Sequence, residues 1–232
     1  MRIVIWNCQG GFAKKAEALL GLDPDVAVVP ECSHKDSASV SGAGYANLWF
    51  GSNPRKGLAI FCRKEWEMKE IHEPEQKWIV PVTVQGPEPF ALIAVWACKV
   101  GTNARDHYIG QVYQFLKVHP AWFQGPVIVA GDFNSNAKWD EGHGVGGHSD
   151  VVRMLKECGL ASAYHAHFNE KQGAESHPTE YFFRHQDKPY HVDYIFVPKP
   201  WLPRLHDVRV GDYKEWSRLS DHCPLVANVQ TT

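Results

Sequence analysis

The feature that most constrains this sequence is a short apolar run that ends in polar side chains. Residues 127–130 are four consecutive apolar residues, three of them β-branched, and they lead through Gly131 into Asp132, Phe133 and Asn134. Such a run is typical of a strand that is buried on both faces of a sheet. Functional side chains collect at the carboxyl ends of these strands, because a rigid strand fixes the position of the first loop residues.

Asp132 and Asn134 are the candidate functional residues of this run. They are two positions apart, so they point to the same side of the chain. The carboxylate can accept a proton or hold a hard cation, and the amide adds a neutral oxygen or an N–H donor. The alternative is an Asp-Phe-Asn-Ser turn that only caps its own backbone. This run alone does not distinguish a functional site from a turn.

Four further motifs place polar residues beside apolar runs. They are Ile5-Trp6-Asn7, Val28-Val29-Pro30-Glu31, Val192-Asp193-Tyr194-Ile195-Phe196 and Ser220-Asp221-His222-Cys223-Pro224-Leu225. Together with the Gly131–Asn134 motif, and in this order, they resemble the endonuclease/exonuclease/phosphatase superfamily. This superfamily of metal-dependent phosphoesterases includes exonuclease III and deoxyribonuclease I. The resemblance covers the whole length of the chain, and five ordered motifs are far more specific than any single one.

The resemblance implies a divalent cation, Mg²⁺ or Mn²⁺, as the cofactor. It implies Glu31 as the principal ligand, helped by Asn7 and Asp221. Oxygen ligands of this kind suit Mg²⁺ or Mn²⁺ and not zinc. A second ion is compatible with the motifs, held by Asp132, Asn134 and His222. The sequence does not give the number of ions.

The resemblance also implies the catalytic roles. Asp132 and Asn134 would orient and deprotonate the attacking water, and Asn7 would assist at the same place. His222, held by Asp193 on the neighbouring strand, would donate to the phosphoryl oxygen as negative charge builds in the transition state.

Candidate substrate contacts lie outside these motifs. Familiar nucleases carry a Tyr or His near the position of Trp96, and an indole has one N–H donor and no acid–base capacity. Either Lys99 or Tyr108 takes that role, or the role is absent. His148 either decorates a helix start or donates to the substrate there. Tyr181 lies where abasic-site endonucleases are rich in Trp, so that specificity is not predicted.

Length and pattern predict one domain over residues 1–232. Alternating strand and helix patterns alone predict an α/β domain, with helices over residues 12–20, 108–118 and 151–158. Ser149 is the expected N-cap of the third helix. The resemblance implies a four-layer α/β sandwich, in which two mixed, mostly antiparallel sheets pack face to face with helices outside. A parallel crossover between the first two strands should bring Asn7 and Glu31 to one edge.

Composition limits the possible partners. The net charge of −2 and the pI near 6.7 exclude a broad basic surface, so any contact with nucleic acid must be local. The six cysteines are scattered, which predicts reduced, buried thiols. The sequence shows no apolar stretch of membrane-spanning length and no signal peptide, and we expect a cytoplasmic protein with no membrane contact and no obligate protein partner.

These observations predict a Mg²⁺- or Mn²⁺-dependent phosphodiester hydrolase, and a nuclease that acts on DNA is the leading interpretation. Two alternatives stay open. One is a phosphatase or phosphodiesterase of a lipid headgroup or small molecule, and the other is an inactive binding module with the same fold. The sequence does not distinguish DNA from RNA, or an endonuclease from an exonuclease.

Overall fold

Two six-stranded sheets form the centre of the protein. The computed structural model describes residues 1–71, 78–99, 107–142 and 144–231. The first sheet has the spatial order β13 (Leu205–Val210), β14 (Leu225–Val229), β1 (Arg2–Ile5), β2 (Val26–Cys32), β4 (Lys56–Arg63) and β3 (Tyr45–Asn53). The second has the order β5 (Glu67–Ile71), β6 (Ile79–Gln85), β7 (Phe90–Trp96), β8 (Val127–Asp132), β12 (Asp193–Pro198) and β9 (Leu160–Ser162). A small hairpin pairs β10 (Glu180–Tyr181) with β11 (Pro189–Tyr190).

The helices lie around these sheets. The α-helices are α1 (Ala16–Gly21), α2 (His34–Ser37), α3 (Ile109–Val118), α4 (His148–Glu157), α5 (Ala163–Phe168) and α6 (Tyr213–Trp216). Short 3₁₀ segments cover Phe12–Lys14, Ala38–Ala43, Pro120–Phe123, Ala137–Gly142, Phe182–Arg184 and Lys199–Arg204. In the part of the chain that the structure describes, no helix is long and apolar enough to span a membrane.

Alternation along the strands creates the layers. In β1, Ile3 and Ile5 point into a core shared by both sheets, whereas Val4 packs outward with Phe12 and Leu19. The outer face of the second sheet packs in the same way against α3 and α4. Three apolar clusters therefore separate four layers, and the predicted sandwich of two mixed sheets with helices outside is confirmed.

Each sheet has one parallel pair, and the other pairings are antiparallel. The parallel pairs are β1 with β2 and β7 with β8. The crossover expected between the first two strands is therefore present, and it places the ends of β1 and β2 at the same edge. Because β14 and β12 run antiparallel to β1 and β8, their first residues lie at the edge where β1 and β8 end.

Two helix predictions were wrong in detail. The helix expected over residues 12–20 is a 3₁₀ turn followed by α1, since Lys15 has a non-helical backbone (φ −121°, ψ −5°) and its ammonium donates to the Cys8 carbonyl at 2.6 Å. Ser149 is not an N-cap, because α4 begins at His148. The carboxylate of Asp140, from the preceding segment, accepts the N–H groups of His148 and Ser149 instead.

Candidate active site

Polar residues from both sheets meet at one edge of the sandwich. Asp132 ends β8 and is the register partner of Asp193, the first residue of β12. His222 comes from the other sheet, just before β14. One ligand atom from each of these three residues lies within 4.8 Å of the other two, and all three side chains are buried. The two sheets together therefore build one compact site.

Asp132 is held by amide donors. Asn7, just after β1, donates its side-chain N–H to Oδ2 of Asp132 at 3.0 Å, and Asn134 donates to the same oxygen at 2.9 Å. The backbone N–H of Asn134 donates to Oδ1 at 2.8 Å. This turn requires Asn134 to adopt a left-handed backbone, with φ at +45°. The carboxylate is thus fixed in position, as expected of a group that must orient a reactant.

Gly131 lets the chain approach the neighbouring strand. A Cβ at this position would lie 1.9 Å from the carbonyl oxygen of Val95, and the residue has φ +149°. No other residue type fits this approach without moving the backbone. The glycine in front of Asp132 is therefore a requirement of the site's geometry.

His222 and Asp193 form a buried pair. Nδ1 of His222 lies 2.8 Å from Oδ2 of Asp193. Burial opposes protonation of His222, but the negative charges of Asp193 and Asp132 outweigh it and raise the pKa of the imidazole well above its ordinary value. The expectation that Asp193 lies on a strand neighbouring His222 was wrong, because β12 and β14 belong to opposite sheets. The pair therefore joins the two sheets.

Hydrogen bonds to the backbone fix both members of this pair. The indole N–H of Trp6 donates to the His222 carbonyl at 2.9 Å, and the His222 N–H donates to Oγ of Ser220 at 3.1 Å. Oγ1 of Thr179 accepts the N–H of Asp193 at 3.1 Å. The sequence motifs gave no indication of Ser220 or Thr179 as supporting residues.

Asp221 points to a different neighbour. Its Oδ2 accepts from the side chain of Gln9 at 2.7 Å, and the Gln9 N–H donates to Oδ1 of Asn7 at 3.0 Å. Arg184 donates to Oε1 of Gln9 at 3.0 Å. Asp221 is thus joined to Asn7 through Gln9, a residue that belongs to no recognised sequence motif and so could not be predicted from the sequence.

Glu31 lies in a β-bulge of β2. The register shifts between Pro30 and Cys32, and Glu31 has φ +63°. Its Oε2 is 3.0 Å from the ammonium of Lys56. That ammonium also lies 5.5 Å from the ring centroid of Trp96, the register partner of Asp132. Glu31 therefore combines a strained backbone with an ion pair, at the same edge of the sandwich as Asp132.

Glu180 is an additional carboxylate at the site. Its backbone forms an antiparallel bridge with His222, and burial raises the pKa of its partly buried carboxyl. The charge of His222 opposes this rise, whereas Asp193 and Asp221 add to it. No sequence motif pointed to Glu180, because its position depends on how residues 179–181 lie along residues 221–223.

The residues proposed as substrate contacts lie in different environments. Trp96 is buried and packs on Trp78 with ring centroids 5.2 Å apart. Lys99 and Tyr108 are exposed, and they flank residues 100–106, which lie outside the described part. Tyr181 is partly buried against Tyr213, and its N–H donates to the Asp221 carbonyl.

His148 lies in the interior. Its Nε2 is 3.0 Å from Oε1 of Gln172, its ring packs on Tyr194, and its Nδ1 is buried without a hydrogen-bond partner among the described residues. It belongs to a polar network behind the site that includes Asn136, His165, Glu175 and His191. In this position His148 packs behind the loop that follows β8. A buried ring does not favour the predicted direct contact with the substrate.

The position of His148 predicts a loss of stability in acid. Burial lowers the pKa of His148, with Gln172, Asp140 and Glu175 opposing the shift and His165 adding to it. Below pH of about 6.5 the unfolded chain therefore binds a proton that the folded chain does not. We expect this residue to lower the free energy of unfolding by up to ~1.4 kcal/mol per pH unit as the pH falls. Denaturant titration in EDTA from pH 7 to 5 measures this slope.

A pair of variants isolates this contribution. His148→Asn should reduce the slope between pH 7 and 5 and leave the part that comes from buried His191, whose pKa burial lowers to about 4. His185→Asn, at an exposed position, should leave the slope unchanged. Equal slopes in the two variants would show that His148 is not the group responsible.

Two thiols near the site have raised pKa values, which disfavours their thiolate forms at neutral pH. Burial raises the pKa of Cys223 to about 12, and burial likewise raises that of Cys98 to about 12. The six cysteines are free thiols, and four of them are buried as predicted, whereas Cys98 and Cys158 are only partly buried.

The donor set fits a divalent cation. Burial raises the pKa of Asp132 to about 8, the charge of Asp193 adds to this rise, and His222 opposes it. When both carboxyl groups are ionised, one imidazolium leaves an uncompensated negative charge that a cation would offset. Oδ1 of Asp193 lacks a hydrogen-bond partner among the described residues. Carboxylate oxygens are ligands that suit Mg²⁺ or Mn²⁺.

Comparison with known proteins places the fold. The chain superposes on a 3' phosphatase, NExo, from Neisseria bound to a product DNA hairpin, with a TM-score of 0.75, 18% identity and 99% of each chain covered. An AP endonuclease from Archaeoglobus fulgidus superposes with a TM-score of 0.72, 20% identity and 99% of each chain covered. No curated protein matches the sequence significantly. A match to the Endonuclease/Exonuclease/phosphatase family extends over residues 4–222 and includes the polar residues of all five motifs, so the chain belongs to that family.

Proposed function

We propose that this protein hydrolyses phosphodiester bonds with the help of Mg²⁺ or Mn²⁺, and that its substrate is DNA. The observation that carries the proposal is the buried set of Asp132, Asp193 and His222, whose ligand atoms lie within 4.8 Å of one another. Asn7 and Asn134 hold Asp132 in this set. A carboxylate, an oriented imidazole and amide donors at one edge suit the attack of water on a phosphate.

Glu31, helped by Asn7 and Asp221, would hold the cation. A second ion held by Asp132, Asn134 and His222 would require a neutral His222, because a protonated imidazole has no lone pair for a cation. A bound divalent cation would offset the negative charge of the phosphodiester and polarise its phosphoryl oxygen.

Asp132 is the proposed general base. The three N–H donors from Asn7 and Asn134 hold both carboxylate oxygens, so its orientation toward a water is set before substrate binds. Its proton affinity is raised by burial, which favours proton acceptance.

His222 is the proposed donor to the phosphoryl oxygen. Because Nδ1 is directed to Asp193, Nε2 is the nitrogen left for the substrate. The raised pKa keeps the ring protonated, so it can stabilise negative charge that builds in the transition state.

Exposed aromatic side chains support a nucleic acid as the substrate. Phe182 and Phe183 are 44% and 68% exposed, and their segment continues into Arg184, which contacts Gln9 near Asn7. Stacked bases and a local positive charge would hold a strand there. The net charge of −2 provides no broad basic field, so we propose single strands, ends or nicks ahead of intact duplex.

The test is a substrate panel at low salt. Single-stranded, duplex, nicked and abasic-site oligonucleotides are compared with bis-p-nitrophenyl phosphate, inositol phosphates and sphingomyelin, each with Mg²⁺, Mn²⁺ or EDTA. We expect hydrolysis of single strands or ends that requires the metal. Activity that survives EDTA contradicts the cation model. Turnover of only the inositol phosphates or sphingomyelin excludes DNA, and no turnover of any substrate favours a binding module.

A further inference from the structure

Lys56 occupies a fixed position beside Glu31. It is the first residue after a tight turn, where Asn53 pairs with Lys56 across β3 and β4. The turn is anchored because the Pro54 carbonyl accepts the N–H of His34 at 2.8 Å. The next residue, Gly57, is the register partner of Cys32, which follows Glu31. The fold therefore brings the Lys56 and Glu31 backbones to the same end of adjacent strands.

Close packing keeps this arrangement in place. A Cβ on Gly57 would lie 2.4 Å from the Phe50 carbonyl oxygen and 2.4 Å from the Trp49 ring. The strand can approach its neighbours here only because the residue is glycine. The position of Lys56 is thus set by packing on both sides of it, although its own side chain is long and half exposed.

The Lys56 ammonium contacts the principal proposed cation ligand. It is 3.0 Å from Oε2 of Glu31 and 5.5 Å from the ring centroid of Trp96. Trp96 is the register partner of Asp132. The side chains of Lys56 and Glu31 are 49% and 21% exposed, so their ion pair alone contributes little to stability. A role in stability therefore does not account for a lysine at this position.

A lysine on Glu31 competes with a cation on Glu31. Two positive groups at one carboxylate repel each other, and the repulsion increases where protein replaces water around them. If the cation takes the carboxylate, the ammonium must turn away. Its flexible stem allows this, and the nearest suitable new partner is an anion that arrives with the substrate.

We propose that Lys56 is a displaceable counterion. It neutralises Glu31 in the cation-free protein and moves to a phosphate oxygen of the substrate once a divalent cation has taken Glu31. This inference rests on the proposed function. Cation binding would free the ammonium to bind the phosphate, and phosphate binding would hold the ammonium away from Glu31. The two ligands should therefore bind more tightly together than separately, and this coupling is reciprocal.

Cation affinity without substrate provides the first test. Mn²⁺ binding is measured by isothermal titration calorimetry for the wild type, Lys56→Gln, Lys56→Arg and the control Lys69→Gln. Lys69 pairs with Glu67 at 3.6 Å on a different strand and carries the same charge. We expect Lys56→Gln to bind Mn²⁺ about five- to tenfold more tightly, because the competing charge is gone. Lys56→Arg and Lys69→Gln should stay within about twofold of the wild type. Unchanged or weaker binding by Lys56→Gln overturns the inference.

Coupling provides the second test. Binding of a fluorescein-labelled single-stranded oligonucleotide is followed by anisotropy, in an Asp132→Asn background that prevents cleavage. Saturating Mn²⁺ should lower the Kd for the oligonucleotide, and the factor by which it does so should be about fivefold smaller when Lys56→Gln is added. Equal tightening with and without Lys56 overturns the proposed transfer. Failure of the proposed function would be seen separately, as a lack of turnover in the substrate panel, and the Mn²⁺ affinities remain measurable in that case.

Discussion

Replacing Asp132 with Asn is expected to lower turnover by about three orders of magnitude, which lies within the range for loss of a general base. The amide keeps the size of the carboxyl but cannot accept the proton of the attacking water. Asn7 and Asn134 donate to both oxygens of Asp132 and fix the orientation of its carboxylate. Steady-state rates on the best substrate of the panel, at saturating Mn²⁺, measure the loss.

Stability separates this effect from misfolding. A carboxylate in this buried site is costly without a cation, because Asp193 lies beside it. The amide removes that cost, but its NH2 group faces at least one of the N–H groups that the carboxylate accepts, so we expect metal-free Asp132→Asn to have a modestly lower melting temperature and to stay folded at the assay temperature. The exposed Asp187→Asn serves as a matched control with unchanged turnover. Normal turnover in Asp132→Asn, or a loss of turnover that follows a loss of folded protein, would contradict the assigned role.

Asp193→Asn and His222→Ala are each expected to lower turnover at least ~100-fold, the scale for a transition-state donor. The double variant should lose little more, because the two side chains act through one hydrogen bond of 2.8 Å. Without Asp193 the imidazole loses both its orientation and the charge that keeps it protonated. Turnover of the wild type, both single variants and the double variant gives the coupling between them.

A purely structural histidine would behave differently. His222 is buried, so removing it can also destabilise the protein. If His222 only packs in the core, the folded fraction of His222→Ala should turn over substrate normally. Losses that multiply in the double variant would show that Asp193 and His222 act independently. Rates are therefore normalised to the folded fraction from near-ultraviolet circular dichroism.

The motifs at strand ends were predictable because their signals are local. The apolar pattern of residues 127–130 predicts a buried strand, and Asp132 lies two positions after it. The position of Asp132 at the end of a strand can therefore be predicted without any distant contact. The same applies to Asn7 and Glu31, each within a few residues of an apolar run. The sandwich of two sheets was predictable from the order of the five motifs through the family resemblance, whereas the strand patterns alone indicated only an α/β fold.

The partners of these residues were not predictable from local patterns. Lys56 meets Glu31 because a hairpin packs beside a bulge, and Glu180 reaches His222 because a short hairpin lies along the last loop. His148 has the sequence context of a helix start near the surface, yet α4 turns its ring inward onto Tyr194. Such contacts depend on tertiary packing, for which a single sequence carries no periodic signal.

The pairing of Asp193 with His222 across the two sheets has a consequence for how activity can be lost. Neither sheet alone carries a working half of the site, since Asp132 and Asp193 come from one sheet and Asn7 and His222 from the other. A small parting of the sheets would separate these side chains while leaving every strand paired. Activity thus requires native packing of one sheet against the other. It should be lost in a molten-globule-like state that keeps its secondary structure but not this packing.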